Sequence, residues 1–436
     1  GATLVSASGL TTGALNISGF TFKDDPNPAA ALTYPVSFSG CQSPATVSFT
    51  NNTILGAGDV NTDWGLLAQG STCSFIINNN VFDNIGGNSI MLELATGPVE
   101  IGNNEFMLPN DGGPAIWSMS YGTSAVPNTV TGLQWYHDNY IHAKEVDGSI
   151  YSGITIAPAW GTGWNVRQYG SYTNVLIEDN TVEDFQSVGI QVEVDGTNST
   201  LNGVIQDNVL TAYPGISYSK GIRLLGPVSN TSLLSNIITN GYRGIYLSGT
   251  WGQPVYPTLI KSEKNQLAGN TIGYEEIDTA NDQDASPNWW GSASGPAAGY
   301  VLSNGINYIP WCTNVECTTF GAPVVNITQH TYFATIQAAI DDAATVNGDV
   351  IEVAAGTYPE QVNITKSLTI NGPNAGIDPN TGLRVTEAII APVGSGTVGI
   401  TVQPEIGAVT VDGFTVQGYT DWGFRQRYTA TGVETP

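Results

Sequence analysis

Positive charge is what this 436-residue sequence has least of: 12 Lys and Arg stand against 37 Asp and Glu, a formal net charge of −25. Nucleic acid and anionic membrane surfaces are held by basic patches, so neither is expected as a partner. Charge of either sign is scarce, 11% of residues, which leaves Ser, Thr, Asn, Gly and Tyr to supply the polar surface. No apolar run reaches the roughly eighteen residues of a membrane-spanning helix, so no transmembrane segment is expected within these residues. No basic-then-apolar leader precedes Gly1, and the sequence reads as a mature chain or a piece of a longer one. Helical spacing of apolar residues is also nearly absent before residue 300, and an ordinary β-sandwich is the plainer alternative to the repeat reading below.

There are four cysteines. Cys312 and Cys317 are close in sequence, and Cys41 and Cys73 fall one repeat apart in the reading below. Two disulfides, 41–73 and 312–317, fit an oxidising compartment. A zinc site is the weaker reading, because C-x4-C has no second pair beside it. Six Asn-x-Ser/Thr sequons, at Asn16, Asn51, Asn198, Asn230, Asn326 and Asn363, lean the same way, towards a glycosylated extracellular or cell-surface protein.

What is abundant is one short pattern: apolar, any, polar, Asn, any, apolar. It recurs as FTNNTI (49–54), IINNNVF (76–82), IGNNEF (101–106), YHDNYI (136–141), IEDNTV (177–182), IQDNVL (205–210), LSNII (234–238) and LAGNTI (267–272). Its asparagines are Asn52, Asn80, Asn104, Asn139, Asn180, Asn208, Asn236 and Asn270. A glycine and an alternating apolar run often follow, as in GITIA (153–157), GIQVEV (189–194), GIRLL (221–225) and GIYLS (244–248). Alternation with period two predicts strands with one buried face. Short strands with a sharp Asn bend, repeated every few dozen residues, predict an all-β solenoid in which each coil buries its apolar face against the next. Asn tolerates the left-handed bend, and stacked amides can hydrogen-bond along a ladder.

These repeats resemble the right-handed parallel β-helix, the pectate-lyase-like superfamily, and the likeness covers nearly the whole chain. It implies a fold and leaves the activity open, since lyases, hydrolases, esterases, adhesins and passive surface proteins share it. The segment FATIQAAIDDAA, with Ile336, Ala339, Ile340 and Ala343 on one helical stripe, resembles the opening cap of such β-helices. SPNWWGSASGPAAG (286–299) resembles a closing motif of secreted β-helix repeat proteins, with Trp289 and Trp290 covering the last coil. The expected organisation is therefore a body with closing cap over 1–300, a disulfide-bearing linker over 301–325, and over 326–436 the opening cap and first coils of a second, partial β-helix or of a neighbouring subunit's.

That order looks circularly permuted. LNISGFTFKD (15–24) resembles VTVDGFTVQG (409–418), with Gly19 and Phe20 matching Gly413 and Phe414. Either the chain is one period of a tandem array, or the C-terminal segment of one copy caps the start of the next. The residues expected at that joint are Gly19, Phe20, Ile336, Ile340, Gly413 and Phe414.

No catalytic motif is evident. Polysaccharide lyases of this fold use Lys or Arg as base, and Lys220, Arg223 and Arg243 form the one candidate basic patch. The catalytic Asp and Arg motifs of the esterase branch and the Gly-His-Gly motif of the glycosidase branch are missing, and His137, His142 and His330 have no triad context. Asp138, Asp179 and Asp207, each just before a repeat Asn, would stack roughly 5 Å apart, a spacing suited to a glycosidase carboxylate pair or a weak calcium site. Solvated turn residues are the plainer reading. A second acidic run holds Glu275, Glu276, Asp278, Asp282 and Asp284 without EF-hand spacing. Trp160 and Trp164, in a long aromatic loop, suit contact with surface glycans or another protein. The expectation is a structural or adhesive surface unit that joins to copies of itself head to tail, into a filament, appendage or surface layer. The alternatives are a polysaccharide lyase or glycosidase, and a carbohydrate-binding adhesin.

Overall fold

The computed structural model describes residues 4–427 apart from 24–33, 58–63, 111–112, 121–127, 158–169, 195–200, 251–254, 278–282, 303–305 and 393. The chain divides into two compact units: Gly1–Ser292 with 296–308 and 315–317, and 293–295 with 309–314 and 318–436.

In the first unit, strands follow a fixed cycle of three faces. Val5–Ser8 lies on face A, Ala14–Ser18 on face B and Thr21–Lys23 on face C. Val36–Ser39, Thr46–Thr50 and Thr53–Leu55 then repeat the three. Each strand pairs in parallel with its counterpart one coil on: Val5 with Val36, Ala14 with Thr46, Thr21 with Thr53. The cycle runs on to Val301, which stands beside Tyr274 on face A. Thr181–Glu193 is long because it passes through a corner without breaking, pairing with Val209–Ala212 on face C and Lys220–Leu225 on face A. This is a parallel β-helix solenoid, as the repeat predicts.

Alternation sends one set of side chains inward. On face B, Phe49, Ile77, Ile101, Tyr136, Ile177, Ile205 and Leu233 stack in register and are essentially fully buried. Each such side chain contributes about 1.5–3 kcal/mol by leaving water, which is how coils of low charge hold together. The first coil is the exception. Its burial alternates only between intermediate and exposed on faces A and B, and Phe20 is 56% exposed.

The second unit is a smaller solenoid of the same plan. Val350–Val353, Gly356–Tyr358 and Val362–Ile364 take three faces. Thr369–Asn371, Ala388–Ile390 and Val398–Val402 stack on them in parallel, and Thr410–Asp412, Phe414–Val416 and Trp422–Gln426 stack on those. The opening end is closed by antiparallel strands Val324–Asn326 and Thr331–Phe333 and by the helix Ile336–Asp341, which buries Ile336, Ala339 and Ile340. The helix is shorter than the apolar stripe predicts. Asp342 leaves helical geometry as the C-cap, so Ala343, the fourth stripe position, is exposed. At the other end, Thr335 Oγ1 caps the Ala338 N–H, and the Glu360 carboxylate accepts from the Ile336 and Gln337 N–H groups, each at 2.9 Å.

Candidate functional site

The corner between faces B and C is built by one repeated hydrogen-bond unit. Asn52 donates through its backbone N–H and its Nδ2 to Asn80 Oδ1, and a second Nδ2 hydrogen reaches Ile17 O in the preceding coil. Asn80, Asn104, Asn139, Asn180, Asn208, Asn236 and Asn265 each repeat the bonds to the next asparagine, and Asn288 ends the ladder. Seven of its nine members are those read from sequence. Asn270 is a correction: it sits at the next corner, between faces C and A, where it accepts from Gly241 N–H and donates to Ile238 O. Asn265 and Asn288 hold the ladder positions.

The residue before each ladder asparagine except Asn288, which follows Pro287, bends left-handed: Asn51, Asn79, Asn103, Asp138, Asp179, Asp207, Ser235 and Lys264 all have φ between 51° and 59°. Asp138, Asp179 and Asp207 are therefore aligned turn residues, exposed to solvent. Among the described residues no group of three or more His, Cys, Asp and Glu is gathered so as to hold a metal ion. Slight desolvation at the corner, then the like charges of Asp138, Asp207 and Glu178, push the Asp179 carboxyl up. Beside this row, the His137 ring stacks on Trp135 at 3.9 Å. It lies over Gly102, where a Cβ would come within 2.3 Å of the imidazole. Asp138 holds His137 Nδ1 at 2.8 Å, and Glu178 accepts from Trp135 Nε1 and Gln206 Nε2, both at 2.7 Å. These carboxylates are engaged by their neighbours.

Face A carries a cluster of three basic residues. Lys220 stands beside Arg243 and Arg223 beside Tyr246 in the strand register. The Arg243 guanidinium lies 4.8 Å from the Tyr242 ring centre and 4.9 Å from that of Tyr246, and it is ion-paired with Glu275. Arg223 Nη1 donates to Gln191 at 3.3 Å. Lys220 Nζ donates to Tyr218 O at 2.5 Å. Burial, then the charges of Arg223 and Arg243, push the Lys220 ammonium down to about 8. The basic trio was legible in sequence. Its tyrosines were not, because only the register shows that Tyr246 sits one coil beyond Arg223.

Cys41 and Cys73 form a disulfide joining two coils, and Cys312 and Cys317 are the other disulfide-bonded cysteines. Asn16, Asn51 and Asn230 are exposed and Asn363 is half-buried. The Asn326 sequon is a correction. That side chain is fully buried, donates to Thr345 Oγ1 and Asp349 Oδ2, and accepts from Thr328 and Gln329 N–H, so no hydrogen is left for a glycan linkage in the folded unit. Asn198, Trp160, Trp164, Asp278 and Asp282 lie outside the described residues. Glu275 pairs with Arg243, Glu276 is buried, and Asp284 accepts from Ser286.

The sequence match between the two ends is also a match of structure. Gly19 and Gly413 share the left-handed bend at φ 79° and 82°, as do Gly13 and Gly407 at 84° and 80°. Each pair of glycines brackets one strand, Ala14–Ser18 in the first unit and Thr410–Asp412 in the second. Thr21–Lys23 and Phe414–Val416 follow, and then the next strand of the cycle, Val36–Ser39 or Trp422–Gln426. The last coil of the second unit is thus the first coil of the first unit over again. In the second unit it has two coils and a cap stacked before it, with Phe414 and Val411 packed against a core that includes Ile336 and Ile340.

The class is thereby defined as a parallel β-helix with a partial second β-helix of the same plan. No protein-family profile matches the chain, and no curated protein matches it. Among solved structures, a mutant of the PL6-family alginate lyase AlyGC aligns over 97% of this chain and 71% of its own, at 13% identity and a TM-score of 0.31. A likeness at that level carries no inference about activity.

Proposed function

We propose that this protein is an extracellular structural solenoid whose units join head to tail, the C-terminal unit of one copy serving as the opening end of the next. The observation that carries the reading is the repeated coil: Gly19 and Gly413 mark the same bend in the same strand sequence, one in the first coil of the first unit and one in the last described coil of the second. A solenoid end exposes unpaired strand edges and apolar side chains, and a coil of matching geometry covers both. Phe20 at 56%, Leu4 at 51% and Phe424 at 50% exposure are the side chains such a joint would cover. A head-to-tail contact is heterologous, so repeating it without ring closure produces a filament. The disulfides fit an oxidising compartment, and the exposed sequons and weakly charged polar surface suit the outside of a cell. Light scattering over a concentration series tests the reading. Mass rising well past 45.8 kDa is expected, and a monomer at every concentration overturns it.

A second reading rests on the face A cations. Three basic side chains flanked by tyrosines, on a chain of net charge −25, suit a carboxylate-bearing polysaccharide, with guanidinium groups pairing to uronates and rings packing on sugar faces. Lys220, depressed to about 8, would be the base of a carbohydrate-active enzyme. Release of unsaturated product from a polyuronate, lost in Lys220→Ala with the fold intact, is the result this reading requires.

A further inference from the structure

We infer that the outer side of face A is a linear track for a glycan segment bearing one carboxylate beside uncharged sugars. The carboxylate is held at Lys220 and Arg223, and the uncharged part is laid towards Trp117. This rests on the polysaccharide reading just given and specifies which chain that site takes.

Parallel pairing in register lines up the outward side chains of successive coils. Ile116, Ile154, Ile190, Ile222 and Ile245 are fully buried in the solenoid core, so the residue after each points outward. Those residues form one row: Trp117 beside Thr155, Thr155 beside Gln191, Gln191 beside Arg223, and Arg223 beside Tyr246. With strands about 4.8 Å apart, Trp117 and Arg223 stand about 14 Å apart along the solenoid, room for a short oligosaccharide. Rings mark both ends. Met91 precedes Trp117 in the row. The Tyr34 hydroxyl donates to Met91 Sδ at 2.8 Å, and the Tyr34 and Trp64 ring centres are 5.4 Å apart. At the other end the Tyr246 ring lies against the Arg243 guanidinium. Between them Thr155 and Gln191 offer a hydroxyl and an amide, uncharged groups suited to sugar hydroxyls.

A second observation is how charge is placed along this row. Arg243 is answered by Glu275. Among the described residues no carboxylate is ion-paired with Lys220 or Arg223, whose bonds go to Tyr218 O and to Gln191. Two positive charges are therefore available at one place for an anionic group. Glu93 and Glu193 stand two residues beyond Met91 and Gln191, on the same side of their strands. A polymer with a carboxylate on every sugar would bring like charge up to both glutamates as it lay along the row. A segment with one carboxylate at the cationic end and uncharged sugars beyond it meets no such repulsion, and its sugar faces reach Trp117.

Titration calorimetry on the full chain at pH 7 tests this with tetragalacturonates that differ only in charge. One has every carboxylate free, one has every carboxyl methyl-esterified, and one is esterified except at a single terminal unit, prepared in both orientations. The track requires the better one-acid form to bind about tenfold or more tighter than either of the others. Arg223→Gln should abolish its advantage over the fully esterified form, and Trp117→Ala should weaken both of these alike. The ranking is read on the wild-type chain, so it holds whether or not a variant folds. Tightest binding by the all-acid form overturns the track and leaves the polyuronate reading standing. Unchanged one-acid affinity in a folded Trp117→Ala protein overturns the track as well. Equal binding of the fully esterified and one-acid forms, or no binding by any of them, overturns the polysaccharide reading and the track with it.

Discussion

The side-chain oxygen of Asn208 receives two hydrogen bonds from Asn180, one from its backbone N–H and one from its Nδ2, both at 3.0 Å. The same amide group of Asn180 also reaches Tyr136 O in the coil before. One side chain thus ties three coils, and it does so at a corner where the backbone itself turns away from the sheet. Buried backbone groups must be paired, and a corner leaves them without strand partners. Asparagine fits because it supplies an acceptor and two donors on a short stem.

Asn180→Ala should therefore destabilise the solenoid by about 2–4 kcal/mol, since it strands buried donors and acceptors in two neighbouring coils. Asn180→Asp should be worse at neutral pH, because it replaces two donors with charge in a fully buried position. Denaturant unfolding of both variants checks this. A change within about 0.5 kcal/mol for the alanine variant would mean that water or neighbouring groups take over the bonds.

At Asp179 the direction is opposite. Its carboxyl is raised by slight desolvation and by the charges of Asp138, Asp207 and Glu178, so the folded protein holds this proton more tightly than the unfolded chain. Ionising the group then costs the fold something, and the cost is present above the folded pKa and vanishes in acid. Asn at this position removes the charge and suits the left-handed bend, as Asn51, Asn79 and Asn103 do. Asp179→Asn should raise the melting temperature at pH 7, with the gain fading as pH falls through the carboxylate range. The same variant separates the readings of function: a glycosidase using the aspartate row would lose activity, whereas a structural solenoid would only gain stability.

Much of this was legible because the bend imposes its demand on sequence. Seven ladder asparagines stand out, since each corner needs the same left-handed residue followed by the same amide. Asn265 was hidden because the strand before it carries Ser262 where other coils carry an apolar residue. Asn288 was hidden inside the Trp289–Trp290 motif, whose bulk suggested a cap. The burial of Asn326 could not be read, because its partners Thr345 and Asp349 come from a loop about twenty residues away. The basic trio could be read one coil apart, but that Tyr246 stands beside Arg223 depends on the exact coil length. Local geometry writes a repeating signature, and contacts between coils of unequal length do not.

Lys220 gives a prediction with a defined pH window. Burial, Arg223 and Arg243 lower its ammonium to about 8, against about 10.4 for a free lysine. The folded state therefore gives up this proton first, and stability contributed by the site rises between those two values. Lys220→Met, which keeps the stem and removes the charge, should stabilise the protein at pH 7 and do nothing above about pH 10.5. If the site holds an acidic polysaccharide, polyuronate affinity should instead fall as pH rises past 8 and be weakened at pH 7 by the same substitution. Unfolding and binding measured side by side tell a strained surface cluster from a binding site.

Asp349 shows the converse linkage in the second unit. Burial alone would raise its carboxyl, but hydrogen bonds from Asn326, the Val346 N–H and Gln329, together with the Lys366 charge, outweigh it and hold the group below the usual carboxylate range. Its stabilising share is therefore present above the unfolded value of about 3.9 and is lost as pH falls through the lower folded value. Asn326→Ala removes one of the three donors that Asp349 has, so it should destabilise this unit at pH 7 and bring acid unfolding to a higher pH. It should leave the first unit's unfolding unchanged. In a host that glycosylates sequons, mass spectrometry of the folded protein should find Asn326 unmodified, because its amide is already committed to Thr345 and Asp349. A glycan on Asn326 in folded protein would mean that this buried network does not form as described.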